Sequence, residues 1–401
     1  MLAPSTDEGI ERSSPHAASW SAVVAVGVGA FAIVTTEFLP VGLLPQIAAD
    51  LHVAEGEAGL MVTLPGIMAA LSAPVTIALA RGVDRRRLLW LLMALVAVSN
   101  VVAATATGFI SLLFGRFLLG SALGGFWTIG GSLGPRLRSG SQASKATAVI
   151  LSGISLGTIA GLPLGAFLAV HLGWRAAFAS TAVISAMVVI ALIALLPSIP
   201  RQASSGLKAV PELLARRSTR LALAVTLLTF GGQFAAYTYI APFLRQSSHI
   251  TPSGLSAVLF GYGLAGFFGN VAGGWTSERH SRAAVVTTAI VLATAISALI
   301  ATGDSAVTAA VCVALWGFGF GMAPVTIQKL TLDSAPDHLE AAAALLVCVL
   351  QIAIGLGSLA GGALADRSGP VGAFWLGVAA LLGAGVLVGG ALVRERSEFA
   401  R

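Results

Sequence analysis

Glu37 is the only acidic residue inside any apolar stretch of this chain long enough to cross a membrane. A carboxylate in hydrocarbon is costly unless it is protonated, paired or facing an internal cavity, so Glu37 is a candidate proton or substrate site. The plainer alternative places it near the outer interface beside Pro40, where it merely reaches water. Arg116 is its basic counterpart, four residues before Gly120 in the fourth apolar run, with Gly124 and Gly125 following. A guanidinium at that depth needs a partner, water or an interface. It either snorkels outward or faces a central cavity, where it is placed to exchange partners with a carboxylate or an anionic group; pairing with Glu37 is one such arrangement.

A sparser set of residues offers recognition chemistry: Asn100, Trp127, Thr128, Gln233, Tyr237, Tyr239, Asn270, Gln328 and Gln351. Aromatic rings supply faces for planar or apolar ligands, and amides orient polar groups by hydrogen bonding. Each also has a plain reading as a helix-packing residue. Their spread over several apolar runs describes a thinly polar lining, not a continuous hydrophilic pore. Gly153, Gly157, Gly161 and Gly165 recur every four residues, with Pro163 between the last two. That spacing clears one helix face for close packing, and the proline bends the helix. The second half offers Gly355, Gly357, Gly361 and Gly362 in an equivalent place.

Other chemistry is excluded. The chain has no phosphate loop with its lysine and hydroxyl, no GxSxG elbow, no HExxH and no paired carboxylates within one apolar run. Cys312 and Cys348 have neither metal nor disulfide-framework spacing and read as small apolar residues. No enzymatic activity, resident cofactor or metal is expected.

The elements that must position these residues are long apolar helices. With 401 residues, 56% hydrophobic and 10% charged, and a mean hydropathy of +0.91, the chain lies far from soluble composition. Apolar runs fall near 19–44, 58–80, 88–107, 109–134, 146–170, 176–197, 219–243, 253–276, 283–301, 306–328, 341–364 and 371–393. At 1.5 Å per residue, about 20 residues span a hydrocarbon core of about 30 Å. Strands of a membrane barrel would be shorter and would alternate in polarity. The fold expected is therefore an all-α membrane protein of twelve transmembrane helices. The least secure division is at 105–112, and fusing those two runs would leave eleven.

Charge supports twelve. One set of links carries Arg81, Arg85, Arg86, Arg87, Arg136, Arg138, Lys145, Arg201, Lys208, Arg216, Arg217, Arg220, Arg279, Arg282 and Lys329; the other carries Arg175, Arg245 and Arg367. By the positive-inside rule the first set is cytoplasmic, together with both termini. The net charge of +6 thus reports topology and calls for no nucleic acid. The N-terminal 18 residues hold Asp7, Glu8 and Glu11 against Arg12, the wrong sign for a secretory signal. The organisation expected is a tail 1–18, a six-helix bundle 19–197, a linker 198–218, a second six-helix bundle 219–393 and a tail 394–401. A faint internal echo, Leu156 to Gly161 against Leu356 to Gly361, relates the two pseudo-symmetric bundles, and a ligand route between them is the physical reading.

Several local sequences resemble the major facilitator superfamily, in particular its bacterial proton-coupled drug and sugar efflux proteins of the arabinose-efflux and chloramphenicol-resistance kind. The run Thr36-Glu37-Phe38-Leu39-Pro40-Val41-Gly42-Leu43-Leu44-Pro45 carries the likeness at branch level. The superfamily's gate motif is partly kept in Ala80-Arg81-Gly82-Val83-Asp84-Arg85-Arg86-Arg87 and better kept from Gly274 through Glu278 and Arg279 to Arg282. Arg116 with Gly120 and Gly124 is similar to a fourth-helix motif tied to proton coupling. Gly153 through Gly165 resembles the antiporter signature, with the proline displaced to Pro163.

The resemblance implies proton-coupled efflux of a small amphipathic solute, a drug, sugar or related metabolite, by alternating access. The proton gradient is the energy source, and Glu37 and Arg116 are the coupling candidates. Asp84, Arg85, Arg86, Gly274, Glu278, Arg279 and Arg282 would form the cytoplasmic gate. The expected setting is the bacterial cytoplasmic membrane, with lipid, protons and the solute as partners and a monomer as the working unit. Proton-coupled uptake and a non-transporting membrane sensor or scaffold are the alternatives.

Overall fold

The computed structural model describes residues 19–79, 83–130, 133–138, 142–199 and 209–399. The 1–18 tail, residues 80–82 of the first gate motif and residues 200–208 of the linker lie outside the described residues. Twelve helices are long and apolar enough to cross a membrane. They are α1 (Trp20–Leu51), α2 (Leu60–Leu79), α3 (Arg85–Ala104), α4 (Phe109–Gly130), α5, α6 (Trp174–Leu195), α7 (Arg217–Tyr237), α8 (Pro252–Arg279), α9 (Ser281–Thr302), α10 (Ala306–Asp333), α11 (Leu339–Ser368) and α12 (Pro370–Phe399). Helix α5 is built from Gln142–Leu156, a π-helical turn Gly157–Gly161 and Leu162–Leu172.

Local chemistry sets the ends. Ser19 caps α1 by accepting from the Ala22 N–H, Asp84 caps α3 through the Arg86 N–H, and Ser305 caps α10 through the Thr308 N–H. At α8 the cap is Thr251, followed by Pro252 in the first turn. Ser218 and Thr219, residue types that often cap helices, lie inside α7, which starts at Arg217. The largest differences from the sequence reading are three. Helix α1 continues through Pro40 and Pro45 to Leu51, α7 breaks after Tyr237 and resumes as the short helix Ile240–Gln246, and α12 runs on to Phe399.

Packing repeats with a period of six helices. Helix α1 packs on α5 and α6, α3 on α4 and α6, and α2 on α4; α7 on α11 and α12, α9 on α10 and α12, and α8 on α10 repeat those contacts. The glycine echo occupies matching places in both bundles. A Cβ on Gly157 or Gly161 would meet Val34 or Thr35 of α1, and one on Gly357 or Gly361 would meet Gly231 or Ala235 of α7. Gly173 at φ +83° and Gly369 at φ +71° make the matching tight links α5–α6 and α11–α12, a backbone region that favours glycine. Two seams join the bundles: α2 against α11, and α5 against α8.

Candidate functional site

Pro40 has no N–H, so the Thr36 carbonyl four residues earlier loses its usual helical donor; Pro65 in α2 does the same to Met61. Arg116, only 1% exposed, fills both gaps. Its Nη1 donates to the Thr36 carbonyl at 2.7 Å, its Nε to the Met61 carbonyl at 2.7 Å and its Nη2 to the Glu37 carbonyl at 2.8 Å. The guanidinium therefore neither snorkels nor binds the Glu37 carboxylate. It ties α1, α2 and α4 together through backbone that two prolines have freed.

Glu37 itself stands at the middle of α1, not toward the outer end, because that helix is longer than its apolar run. At 5% exposure it does not reach an interface. Its Oε1 accepts a long hydrogen bond, 3.4 Å, from Nε2 of Gln351 on α11, in the other bundle. The next residue, Phe38, stacks on Phe234 of α7 with ring centroids 5.3 Å apart and planes 20° apart. An acid and a ring from α1 thus meet an amide and a ring from the second bundle at mid-membrane depth.

Behind Phe234 lies a buried aromatic group. Trp316 Nε1 donates to Gln233 Oε1 at 2.7 Å, and Gln233 Nε2 donates to the Tyr262 hydroxyl at 2.8 Å. Tyr237 stacks on Tyr262 at 4.7 Å, and Phe320 packs against Phe234, Tyr237 and Tyr262. The sequence reading singled out Gln233, Tyr237 and Gln351 of this group. It passed over Phe38, Phe234, Tyr262, Trp316 and Phe320. Tyr262 is one of just three tyrosines, and that scarcity was the one signal available.

The remaining candidates fall elsewhere. Asn100 is fully buried within the first bundle, donating to the Thr36 hydroxyl at 3.1 Å and accepting from the Thr181 hydroxyl at 2.9 Å. It braces α1, α3 and α6. Tyr239 sits at the break after α7 and closes one end of the molecule. Trp127 and Thr128 are half-buried; Trp127 packs edge-on to Phe126, and Thr128 bonds back to the Gly124 carbonyl. Asn270 and Gln328 are exposed, and no hydrogen bond reaches either side chain among the described residues. Cys312 is buried and Cys348 half-buried, both free.

Gly153, Gly157, Gly161 and Gly165 all press α5 against α1, and the π-helical turn ahead of Pro163 carries Thr158 and Ile159 against Gly263 of α8. On the other seam, the α2 face toward α11 includes Thr63, Ile67 and Ala70. The next position on that face, Pro74, is exposed. On α8, Asn270 follows Gly263 by two helical turns on the same side and is exposed as well. Both seams are closed at mid-depth.

At the end that carries the basic links, Asp84 and Arg86 bond within their own bundle. The Asp84 carboxylate accepts from the Ser198 hydroxyl at 2.6 Å and from the Ile199 N–H at 3.1 Å, fastening α3 to the end of α6. Burial alone would raise this carboxyl, but those two bonds and the Arg86 N–H outweigh it and hold it below the ordinary carboxylate range. Arg86 donates to the Ile193 carbonyl, Arg85 is buried near Arg136, Gly274 faces open space, and Arg279 lies over the Trp275 ring. Glu278 is exposed. Nearby, Arg216 grips both oxygens of Asp337 at 2.6 Å and also binds Glu212, so the acidic group Glu212, Asp337 and His338 is an ion-pair cluster around a cation.

Twelve crossing helices in two repeated bundles, with their polar contacts at the seam between them, define a multi-pass membrane transporter and not an enzyme. A family model described as Major Facilitator Superfamily matches residues 26–345 and 222–400. The chain belongs to that superfamily. It is 34% identical over 351 residues, 88% of each chain, to the purine ribonucleoside efflux pump NepI of Salmonella paratyphi B, and equally to the same pump of Salmonella enteritidis. The human organic anion transporter MFSD10 (TETRAN) shares the fold, with a TM-score of 0.68 at 19% identity over 94% of this chain and 100% of that one.

Proposed function

We propose that this protein exports a small solute with a planar base, of the purine ribonucleoside kind, by proton-coupled alternating access. The observation that carries the reading is the mid-membrane meeting of Glu37 with Gln351 and of Phe38 with Phe234. Each contact has one partner in either bundle, so anything that enters between them must move the bundles apart. A purine ring stacks on phenyl faces and presents donors and acceptors along its edge to groups such as Gln351 and Glu37. The efflux pumps to which this chain is similar support that solute class and direction.

Glu37 is the proton carrier in this reading. Protonation removes the cost of a buried carboxylate and changes what Gln351 meets, so the gain or loss of one proton biases which end is open. Arg116 holds the backbone around Glu37 and is not itself exchanged. In this reading the basic end is cytoplasmic and the solute loads from that side. The protein works as a monomer in the bacterial cytoplasmic membrane, with both termini inside.

The test is flux of radiolabelled inosine in vesicles reconstituted with purified protein, with and without an imposed proton gradient. Gradient-driven inosine movement against its concentration is expected, and Glu37→Gln should retain downhill exchange while losing uphill transport. Inosine flux that ignores the gradient would refute the coupling, and no flux of any purine ribonucleoside would refute the solute class.

A further inference from the structure

The α2–α11 seam is shut at the end opposite the basic links by a cap borrowed from the other bundle. The short helix Glu55–Ala58 leads through Gly59 into α2, with Ala54 at its cap position. Alanine has no side chain to accept the free N–H groups of a first helical turn. Asp366, near the far end of α11, supplies the missing acceptor: the Gly56 N–H donates to its Oδ1 at 2.8 Å. A Cβ on Gly56 would stand 2.4 Å from that carboxylate, so glycine is what lets it approach.

Other contacts close around this one. The Tyr239 hydroxyl donates to the Ser358 carbonyl at 3.0 Å and lies 3.4 Å from the Gly56 carbonyl. The Ser358 hydroxyl donates across the seam to the Gly59 carbonyl at 3.1 Å, and Gln246 Nε2 donates to Glu55 Oε2 at 3.1 Å. Tyr239 fits because neither Gly59 nor Gly362 has a side chain. The α5–α8 seam at the same end is different. It holds a crevice of about 140 Å³ lined by Ala166, Ala169, Val170, Pro252 and Leu255, with no carboxylate.

We infer that Asp366 is a positioning residue of the transport cycle, capping the start of α2 from the opposite bundle only while this end is shut. The inference rests on the reading of the protein as an alternating-access carrier. Opening the end trades a charge-assisted bond to a backbone N–H for water, so the strength of that bond sets the ratio of shut to open protein. Among the described residues this carboxylate cap sits on the α2–α11 seam, so opening along α2 and α11 must break it.

Spin labels at Glu57→Cys and Ser368→Cys, with Cys312 and Cys348 replaced by alanine, report the separation across the seam in reconstituted full-length protein. Asp366→Ala should raise the population of the longer distance about fivefold or more. Asp366→Asn keeps an acceptor oxygen without the charge and should fall between the unsubstituted ratio and that of Asp366→Ala. Tyr239→Phe should shift the ratio in the same direction as Asp366→Ala, by less, and serves if Asp366→Ala fails to fold. An unchanged distance distribution in Asp366→Ala, or in Tyr239→Phe where that variant stands in, overturns the inference, as does equal opening in Asp366→Asn. Flux measured on the same vesicles separates the two ideas. Absent transport alongside the expected distances fails the carrier reading and leaves the cap standing.

Discussion

The guanidinium of Arg116 bonds the carbonyl of Thr36, the one that Pro40 strips of its helical donor. A buried carbonyl left without a donor costs about 1–3 kcal/mol. Arg116→Ala exposes two such groups, at Thr36 and Met61, and should destabilise the detergent-solubilised protein by about 2–6 kcal/mol. Pro40→Ala restores an N–H to Thr36, so the double variant should lose less than the sum, with a coupling of about 1–2 kcal/mol in a double-mutant cycle. Strict additivity would show that Arg116 acts on something other than the freed backbone. Arg116→Lys should rescue little, because one ammonium lacks the planar fork that reaches three carbonyls.

The stacked pair Phe38 and Phe234 sets a second expectation. Base–aromatic stacking contributes about 1–3 kcal/mol per ring. Phe38→Leu and Phe234→Leu should each raise the KM for inosine by about fivefold or more by that estimate, while Phe→Tyr at either position holds it. Competition between inosine and uridine gives the discriminating readout. Loss of the purine preference is expected, and an unaltered preference in both leucine variants would remove the rings from the solute site.

Two glycines of similar sequence context should respond in opposite ways to alanine. A Cβ on Gly153 would lie 2.1 Å from the Gly27 carbonyl oxygen, which is backbone and unable to swing aside. Gly153→Ala should therefore cost about 1–3 kcal/mol by overpacking α5 on α1. Gly274 meets nothing within 4 Å. Gly274→Ala should be neutral or stabilising by about 0.5–1 kcal/mol, the helical preference for alanine. Thermal melts of the two variants side by side check the contrast.

Acid should loosen the clasp between the linker and the α10–α11 turn. The Arg216 guanidinium pulls the Asp337 carboxyl from its ordinary 3.8 down to about 2. A depressed folded-state value means that the contribution is complete above 3.8 and is lost as pH falls through about 2. The difference in Tm between the unsubstituted protein and Asp337→Asn should be constant from neutral pH to about pH 4 and vanish near pH 2. High salt should shrink it at every pH, because the pair is solvent-exposed.

Much of the fold was legible because the membrane imposes one rule on every span. Backbone polar groups must be satisfied within the segment, so long apolar runs become helices wherever they occur. The weak echo of Gly157 and Gly161 in Gly357 and Gly361 also carried real information, since each pair opens the same face to the neighbouring helix. The polar candidates were harder to read. Asn100 and Gln351 are both amides in apolar helices, yet one braces three helices of a single bundle and the other crosses to Glu37. Type and hydropathy do not distinguish them, because what differs is the phase and depth of each helix against its neighbours. The alternative that set Glu37 at the outer interface fails for a related reason. Hydropathy falls after Leu44, but the helix continues to Leu51.

The chain by itself determined a twelve-helix membrane protein with a repeated half, a strong charge asymmetry between its two ends, and an acid and a guanidinium within its apolar runs. Only the tertiary structure decided which residues meet. It joins Glu37 to Gln351 across 314 positions, Gly56 to Asp366 across 310, and Arg116 to carbonyls that two distant prolines had freed. The division has a physical cause. Burial in lipid acts on each segment separately and leaves its mark in local composition. A contact across the seam depends on how closely two backbones approach, and absent side chains on distant helices set that distance.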